Sequence, residues 1–120
     1  MSEIKYLETH EWYVKDGEVI TVGISAYAQG ELGDIVFVTM PNIGDSFKKG
    51  SPVVELEATK TIAEVYAPFD CEIIEVNENL DTEPELINSS PLSDGWIYKA
   101  SITDSEDSGM TESDYHNFIS

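Results

Sequence analysis

Residues 52–66 read PVVELEATKTIAEVY, and this stretch decides the fold. Two runs rich in β-branched residues, 52–56 and 62–66, flank a short polar segment that contains Lys60. Runs of this kind are typical of β-strands, and the short connection predicts a β-hairpin with Lys60 at or near its tip. A lysine on a hairpin is usually only a solvated charge, yet its long stem and terminal amine also suit it to acylation.

Similar apolar runs recur on both sides of the hairpin, at residues 19–22, 35–40, 73–76 and 96–98. Turn signals such as Asp16-Gly17 and Lys49-Gly50 separate them. Because the strands are short and no long helical pattern intervenes, the sequence predicts an all-β fold. A sandwich or partly closed barrel fits this spacing better than a parallel α/β sheet.

Two short helices are predicted among the strands. Residues 25–32 are rich in Ala and Glu, with Ser25 placed as the N-cap and Gly33 as the stop. A second, very short helix is predicted to begin at Thr82, because Pro84 then falls in the first turn and Glu85 lies three residues on. Both helices should lie at the periphery of the strands.

A third helix is predicted at the C-terminus, at about residues 111–119. Thr111 and Asp114 form an approximate capping box, and Met110 is placed to pack on Tyr115. Residues 101–113 are dominated by Ser, Asp, Glu and Gly, so we expect a solvated linker there. The helix should pack back onto the strands, and residues 1–120 should form one domain.

Composition excludes several classes of function. The chain has 120 residues, with six lysines, no arginine and 24 acidic residues, for a formal net charge of −18. A charge this negative repels nucleic acid and anionic membranes. Cys71 is the single cysteine, so no internal disulfide forms, and His10 and His116 add too few ligands for a zinc site.

The N-terminus and the hydropathy pattern indicate a location. Met1-Ser2-Glu3 starts neither a signal peptide nor an arginine-rich transit peptide, and no apolar run is long enough to span a membrane. We expect a soluble protein of the bacterial cytoplasm, with a mature mitochondrial form as the alternative.

Catalytic sets of the usual kinds are absent from the sequence. Two histidines, one cysteine and no arginine provide no nucleophile–base pair with an orienting group, no phosphate clamp and no glycine-rich phosphate loop. We therefore expect a carrier or binding module rather than an enzyme.

The motifs around Lys60 resemble those of the lipoyl/biotinyl carrier superfamily, and within it the H protein family of the glycine cleavage system. The resemblance covers about residues 6–118. Within the hairpin it rests on Glu57-Ala58-Thr59-Lys60. The motifs outside the hairpin are Thr9-His10-Glu11-Trp12, Val22-Gly23-Ile24, Tyr27-Ala28-Gln29, Leu32-Gly33-Asp34-Ile35-Val36-Phe37-Val38, Gly44-Asp45, Ala67-Pro68, Pro84-Glu85-Leu86-Ile87-Asn88, Pro91 and Gly95-Trp96.

The resemblance implies a hybrid barrel-sandwich fold and lipoate in amide linkage to Lys60. In that family the arm accepts an aminomethyl group from glycine at the pyridoxal-phosphate enzyme, the P protein. It delivers the group to the folate-dependent T protein, and the flavin-dependent L protein reoxidises the dithiol. The implied partners are these three enzymes and a lipoylating enzyme, and the carrier, expected as a monomer, catalyses nothing itself.

The resemblance also implies a cleft that shelters the loaded arm. The cleft positions carried over are Thr9, Glu11, Tyr27 and Glu64, of which Glu11 and Glu64 would hold the positively charged amine. Glu57, three residues before Lys60, is interpreted as a recognition feature for the lipoylating enzyme. The plainer alternative is that these carboxylates are surface charges among many.

Two departures from the family pattern keep other interpretations open. The motif Glu57-Ala58-Thr59-Lys60-Thr61 departs from the family's usual Glu-Ser-Val-Lys-Ala. It is closer to the Glu-Ala-Met-Lys-Met of biotin carriers, although threonine occupies both methionine positions, so biotin is the alternative cofactor. Cys71 stands where a glycine is common, which predicts either strain at a positive φ angle or a changed turn. Its thiol is read as redox-active or, more commonly, as a small buried apolar group.

Other functions compatible with the sequence are a lipoyl donor or relay, a lipoylated redox-regulatory protein, and a structural module in which Lys60 stays unmodified.

Overall fold

The computed structural model describes residues 4–102 and 109–119, and within these ranges the chain forms nine strands and four helices. The strands are β1 (Ile4–Tyr6), β2 (Glu11–Asp16), β3 (Val19–Ile24), β4 (Ile35–Thr39), β5 (Ser46–Phe47), β6 (Pro52–Ala58), β7 (Ile62–Tyr66), β8 (Cys71–Val76) and β9 (Tyr98–Ile102). The helices are α1 (Ala26–Leu32), α2 (Asn79–Thr82), α3 (Leu86–Ser89) and α4 (Glu112–Ile119).

The strands form two antiparallel sheets. Six strands stand in the order β1-β2-β3-β9-β8-β5, and three stand in the order β4-β6-β7. Strands β6 and β7 are the arms of the predicted hairpin, in which Glu57 pairs with Ile62 and the Ala58 N–H donates to the Thr61 carbonyl at 3.0 Å. Lys60 therefore lies in the turn at residues 59–61, and the prediction of a hairpin is confirmed.

The core lies between the sheets. Along β6, Val54 and Leu56 are buried, whereas Glu55 is exposed, because successive side chains of a strand point to opposite faces. Leu56 joins Ile20 and Ile73 of the larger sheet in one apolar cluster. Each sheet thus buries one face against the other, and the all-β class is confirmed.

Helix α1 begins and ends as predicted. Ser25 Oγ accepts a hydrogen bond from the Ala28 N–H at 3.1 Å, which caps the first turn. Gly33 follows the last helical residue with a φ of 83°, and its N–H donates to the Gln29 carbonyl at 3.1 Å. The helix therefore occupies the segment between its two cap residues.

The helix predicted to begin at Thr82 is wrong in position, because Thr82 is the last residue of α2. The side chain of Asn77 accepts from the Asn79 N–H at 3.2 Å and thereby starts α2 earlier. Pro84 stands between α2 and α3, since its ring and missing N–H separate two single turns.

The C-terminal helix α4 forms, and its start follows the predicted cap. The Asp114 N–H donates to Thr111 Oγ1 at 3.2 Å. Met110 exchanges two backbone hydrogen bonds with Tyr6, at 2.8 and 2.7 Å, and packs against the cluster that contains Tyr115. These contacts draw the helix back onto β1.

Several sequence boundaries differ from the structure. Residues 101 and 102 of the expected polar linker belong to β9, where Ile102 is buried, and residues 103–108 of that linker lie outside the described residues. The strand expected at residues 96–98 begins only at Tyr98. Strands β1 and β2 were not predicted, because their apolar residues are interspersed with Lys and Glu.

Cys71 shows no backbone strain. It lies in β8 and is buried in the core, and among the described non-glycine residues only His10 has a positive φ. Burial, with the Asp70 carboxylate beside it, raises the pKa of the thiol to about 11. The interpretation of Cys71 as a small buried apolar group is confirmed, and the predicted strain at a positive φ angle is wrong.

Within the part of the chain that the structure describes, every helix is too short to cross a membrane.

Candidate functional site

Lys60 stands at the tip of the hairpin, and the turn that carries it is tied to the end of α1. The Thr59 N–H donates to the Asp34 carbonyl at 3.0 Å, and the Lys60 N–H donates to the Leu32 carbonyl at 3.3 Å. The Lys60 side chain is exposed and has no hydrogen-bond or ion-pair partner among the described residues. Its amine is therefore free to react, while its backbone is fixed.

Gly33 allows the hairpin turn to pack against the end of α1. A β-carbon built on Gly33 would lie 2.6 Å from Thr59 Oγ1 and 3.3 Å from Lys60 Cγ. Its backbone angles, φ 83° and ψ −161°, belong to a region that essentially only glycine occupies. The residue that ends α1 is thus also the residue over which the lysine stem passes.

A cavity of about 270 Å³ opens between α1, the hairpin and the segment before β2. It is lined by Thr9, His10, Glu11, Ile24, Tyr27, Ala28, Glu31, Leu32, Leu56, Ala63 and Glu64. All four residues carried over as cleft positions (Thr9, Glu11, Tyr27 and Glu64) are in this lining. Glu57 and Lys60 are not, although the hairpin that carries them forms one wall.

Glu11 is a buried carboxylate in the wall, with a side chain only 1% exposed. Thr9 Oγ1 donates to one carboxylate oxygen, and the Tyr66 N–H donates to the other at 3.0 Å. Burial raises the pKa of Glu11, and the hydrogen bonds from Thr9 and Tyr66 oppose that rise only in part. Glu11 is held in place by two fixed donors but lacks a counter-ion among the described residues.

Glu64 is placed on the opposite wall. It lies on β7, is exposed, and is paired across the ladder with Glu55 of β6. Glu55 is exposed as well but does not line the cavity. Of these two neighbouring carboxylates, only Glu64 is therefore available to a group in the cavity.

Helix α1 adds a third carboxylate that sequence reasoning missed. Glu31 lines the cavity, and its carboxylate raises the pKa of the Tyr27 hydroxyl. The two residues are four apart on one helix, a spacing that places them on the same face. That spacing, applied to the predicted helix at 25–32, would have revealed Glu31.

His10 also lies in the cavity wall. Its φ is 74°, and its Nδ1 lies 2.7 Å from the Tyr115 hydroxyl, so its side chain is satisfied. Burial lowers the pKa of His10, and the charge of Glu31 opposes that effect. Trp12 is a core residue, with its Nε1–H donating to the Pro91 carbonyl at 2.8 Å.

Glu57 lies on the outer face of the three-stranded sheet, away from the cavity. It is paired with Phe37 on one side and Ile62 on the other, which are 53% and 59% exposed. A β-bulge between Ile35 and Phe37 also turns Val36 outward, 50% exposed. An apolar patch with a carboxylate at its centre therefore lies beside the Lys60 turn.

The electrostatics of the cavity favour a cationic guest. Glu11, Glu31 and Glu64 line it, and no lysine does. The described residues contain no group of three His, Cys, Asp and Glu side chains that is arranged to hold a metal ion. An organic cation, such as an amine on an apolar stem, matches both the carboxylates and the apolar part of the wall.

Comparison with known proteins bears on this arrangement. The sequence model of the family described as Glycine cleavage H-protein matches residues 4–120. A Glycine cleavage system H protein of Thermotoga maritima is 51% identical over 100 residues, which are 83% of this chain and 81% of that protein. One of Alteromonas mediterranea is 44% identical over 121 residues, covering 98% and 94%.

A solved structure shares the fold. The crystal structure of a glycine cleavage system H protein from Mycobacterium marinum superposes with a TM-score of 0.87 at 32% identity. The match covers 96% of this chain and 94% of that one. The architecture expected from the sequence, a barrel-sandwich with short helices and a C-terminal helix, agrees with this likeness.

Proposed function

The chain belongs to the glycine cleavage H-protein family and is a lipoyl carrier of that system, and on this premise we propose that its lipoate is attached to Lys60. The observation that supports the attachment is the exposed amine of Lys60, which has no partner among the described residues and lies at the tip of the hairpin that forms one cavity wall. An amide at this position would place the arm at the cavity mouth. The disulfide of the bound group would supply the sulfur that accepts the aminomethyl cargo, and its second sulfur would be reduced to a thiol in the same step.

The cavity would receive the cationic end of the loaded arm. Glu11 is desolvated and has no counter-ion among the described residues, so an ammonium near it gains a charge-assisted contact. Thr9 holds one oxygen of Glu11 and thereby orients the carboxylate. Glu64 and Glu31 provide further negative charge from the other two walls, and the enclosure keeps bulk water from a hydrolysable group.

The apolar patch around Glu57 would serve the lipoylating enzyme. An enzyme that acylates Lys60 has to bring its own active site to the lysine amine, since no arm exists yet. It therefore has to contact the surface directly beside the turn, where Phe37, Glu57 and Ile62 stand in one row. Enzymes that act on the loaded arm meet its far end and need no such contact.

The partners proposed are the P, T and L proteins, and the carrier takes no catalytic role of its own. A net charge of −18 favours docking on basic rims around their active-site mouths. The single domain over residues 1–120, the monomeric state and the cytoplasmic location stay predictions.

The test of this proposal is the intact mass of the protein from its native source, followed by peptide mapping. We expect a lipoyl increment on Lys60, and its complete loss in Lys60→Arg, because arginine keeps the charge but does not form the amide. Lys48→Arg is the matched control, since Lys48 is an exposed lysine away from the hairpin, with its amine 4.0 Å from the Asp70 carboxylate. A biotinyl increment, or none in lipoate-replete cells, would refute the assignment.

A lipoyl increment alone does not separate glycine cleavage from a lipoyl relay. Glycine-dependent loading by a P protein, measured on the lipoylated carrier, separates them, because a relay needs no decarboxylase.

A further inference from the structure

The C-terminal helix does not line the cavity, but one of its side chains reaches the cavity's supports. Tyr115 of α4 is 3% exposed and stacks on Tyr6, with ring centroids 4.4 Å apart and planes at 7°. The stack fixes the ring, so that its hydroxyl has a defined position. That hydroxyl points toward the start of α1 and the segment before β2.

The Tyr115 hydroxyl meets both of these segments at hydrogen-bond distance. Its oxygen lies 2.7 Å from Ser25 Oγ and 2.7 Å from His10 Nδ1. Ser25 caps α1, which supplies Tyr27, Ala28, Glu31 and Leu32 to the cavity. His10 belongs to the segment that supplies Thr9 and Glu11. One hydroxyl thus joins two of the three walls.

His10 needs such support, because its backbone occupies a region that residues with a β-carbon rarely adopt. Its N–H donates to the Leu7 carbonyl at 2.9 Å, and its carbonyl accepts from the Ser25 N–H at 2.9 Å. The ring also contacts Tyr27, at a centroid separation of 5.0 Å. The His10 and Ser25 segments are therefore linked by backbone as well as through Tyr115.

We propose that Tyr115 is a positioning residue that clamps the His10 segment to the N-terminus of α1, so that the C-terminal helix controls how tightly the cavity encloses the arm. A hydroxyl suits this position, since it donates to one neighbour while it accepts from the other. When Nδ1 of His10 carries no proton, Tyr115 donates to it and accepts from Ser25; when Nδ1 carries a proton, both directions reverse. Phenylalanine would do neither.

The first test uses the unmodified full chain and amide hydrogen exchange. In Tyr115→Phe we expect exchange of the Ser25 and Ala28 amides to become several-fold faster, up to about tenfold, since the net effect of one hydrogen bond corresponds to about that factor. Tyr6→Phe is the matched control, because it removes a hydroxyl from the same stack but not from this network. Equal protection of these amides in Tyr115→Phe and wild type would overturn the clamp.

The second test rests on the proposed function and measures release of the aminomethyl group from the loaded carrier. We expect faster release of the aminomethyl group in Tyr115→Phe and in His10→Gly. The glycine variant keeps the backbone conformation of residue 10 but removes the ring. The double variant should release more slowly than the product of the two single effects predicts, because both act through one contact. Independent, multiplying effects would contradict the clamp. A wild-type carrier that fails to load would refute the proposed function instead, and the exchange measurement would still decide the clamp.

Discussion

The stem of Lys60 passes directly over Gly33: a β-carbon on Gly33 would lie 3.3 Å from Lys60 Cγ and 3.5 Å from Lys60 Cδ. Gly33, which ends α1, is therefore also the residue against which the turn that carries Lys60 packs. The Lys60 N–H, which donates to the Leu32 carbonyl, fixes the turn from the neighbouring residue.

Gly33→Ala should displace the hairpin turn and destabilise the protein by about 2 kcal/mol, because alanine is strained at this φ and its methyl group meets Thr59. The rate of lipoylation should fall with it. Gly30→Ala is the control, since Gly30 lies inside α1 and a β-carbon there meets nothing within 4 Å. That variant should gain up to about 1 kcal/mol. Urea unfolding and a lipoylation assay give both quantities, and similar behaviour of the two variants would refute the role of Gly33.

Glu64→Gln should shorten the lifetime of the loaded arm by up to about fivefold, since an exposed charge contact contributes at most about 1 kcal/mol. Lipoylation should not change. Glu55→Gln makes the same charge change on the paired residue of β6, outside the cavity, and should leave the lifetime as it is. Release of the aminomethyl group measures both, and equal lifetimes would make Glu64 an ordinary surface carboxylate.

Glu11→Gln should alter how stability depends on pH. Burial raises the folded-state pKa of Glu11 above its ordinary value, so the folded protein binds this proton more tightly than the unfolded chain does. The contribution of Glu11 to the free energy of unfolding is therefore greatest below the unfolded pKa and is lost as pH rises through the folded pKa. We therefore expect the difference in the free energy of unfolding, wild type minus Glu11→Gln, to fall as pH rises. Urea titrations at a series of pH values between about pH 4 and 7 measure this difference. A difference that grows with pH would contradict this sign.

Phe37→Ser should slow lipoylation of Lys60 several-fold, because it removes an apolar contact from the row that contains Glu57. Ile43→Ser is the control, since Ile43 is 66% exposed in the loop between β4 and β5 and is not in that row. Lipoylation rates of the two purified variants decide this. If both lipoylate like wild type, the apolar patch is not a docking surface for the modifying enzyme.

The Cys71 thiol should resist modification in the native protein. Because the pKa of this thiol is about 11, only on the order of one thiol in a thousand is ionised at about pH 8. The thiol is also buried. A thiol-specific chromogenic reagent should therefore react only after denaturant is added. Rapid stoichiometric reaction of the folded protein would restore the redox interpretation of this residue.

Local signals in the sequence were sufficient for the elements whose ends are set by neighbouring residues. Ser25 and Gly33 bracket α1 as expected, and the turn at Lys60 follows from the apolar runs on either side of it. The predicted start at Thr82 was wrong because α2 begins earlier, at Asn79, whose N–H donates to the Asn77 side chain.

The parts of the site that escaped prediction depend on contacts between distant residues. The partnership of His10 with Tyr115 joins positions 105 apart, and no local pattern indicates it. The outward turn of Val36 and Phe37 comes from a bulge that depends on the register with β6. The four cleft positions were placed by resemblance, and the geometry brings them together in one cavity.

The buried carboxylate of Glu11 also links cargo to folding. Glu11 is desolvated and has no counter-ion among the described residues, which weakens the empty carrier. Under the proposed function an ammonium on the arm would provide that counter-ion, and only in the folded state. Under that proposal the cargo would stabilise the folded state, because it would contact Glu11 only there, and the loaded carrier should melt at a higher temperature than the empty one. Resistance to heat or to proteolysis would then report what fraction of the carriers in a population is loaded with cargo.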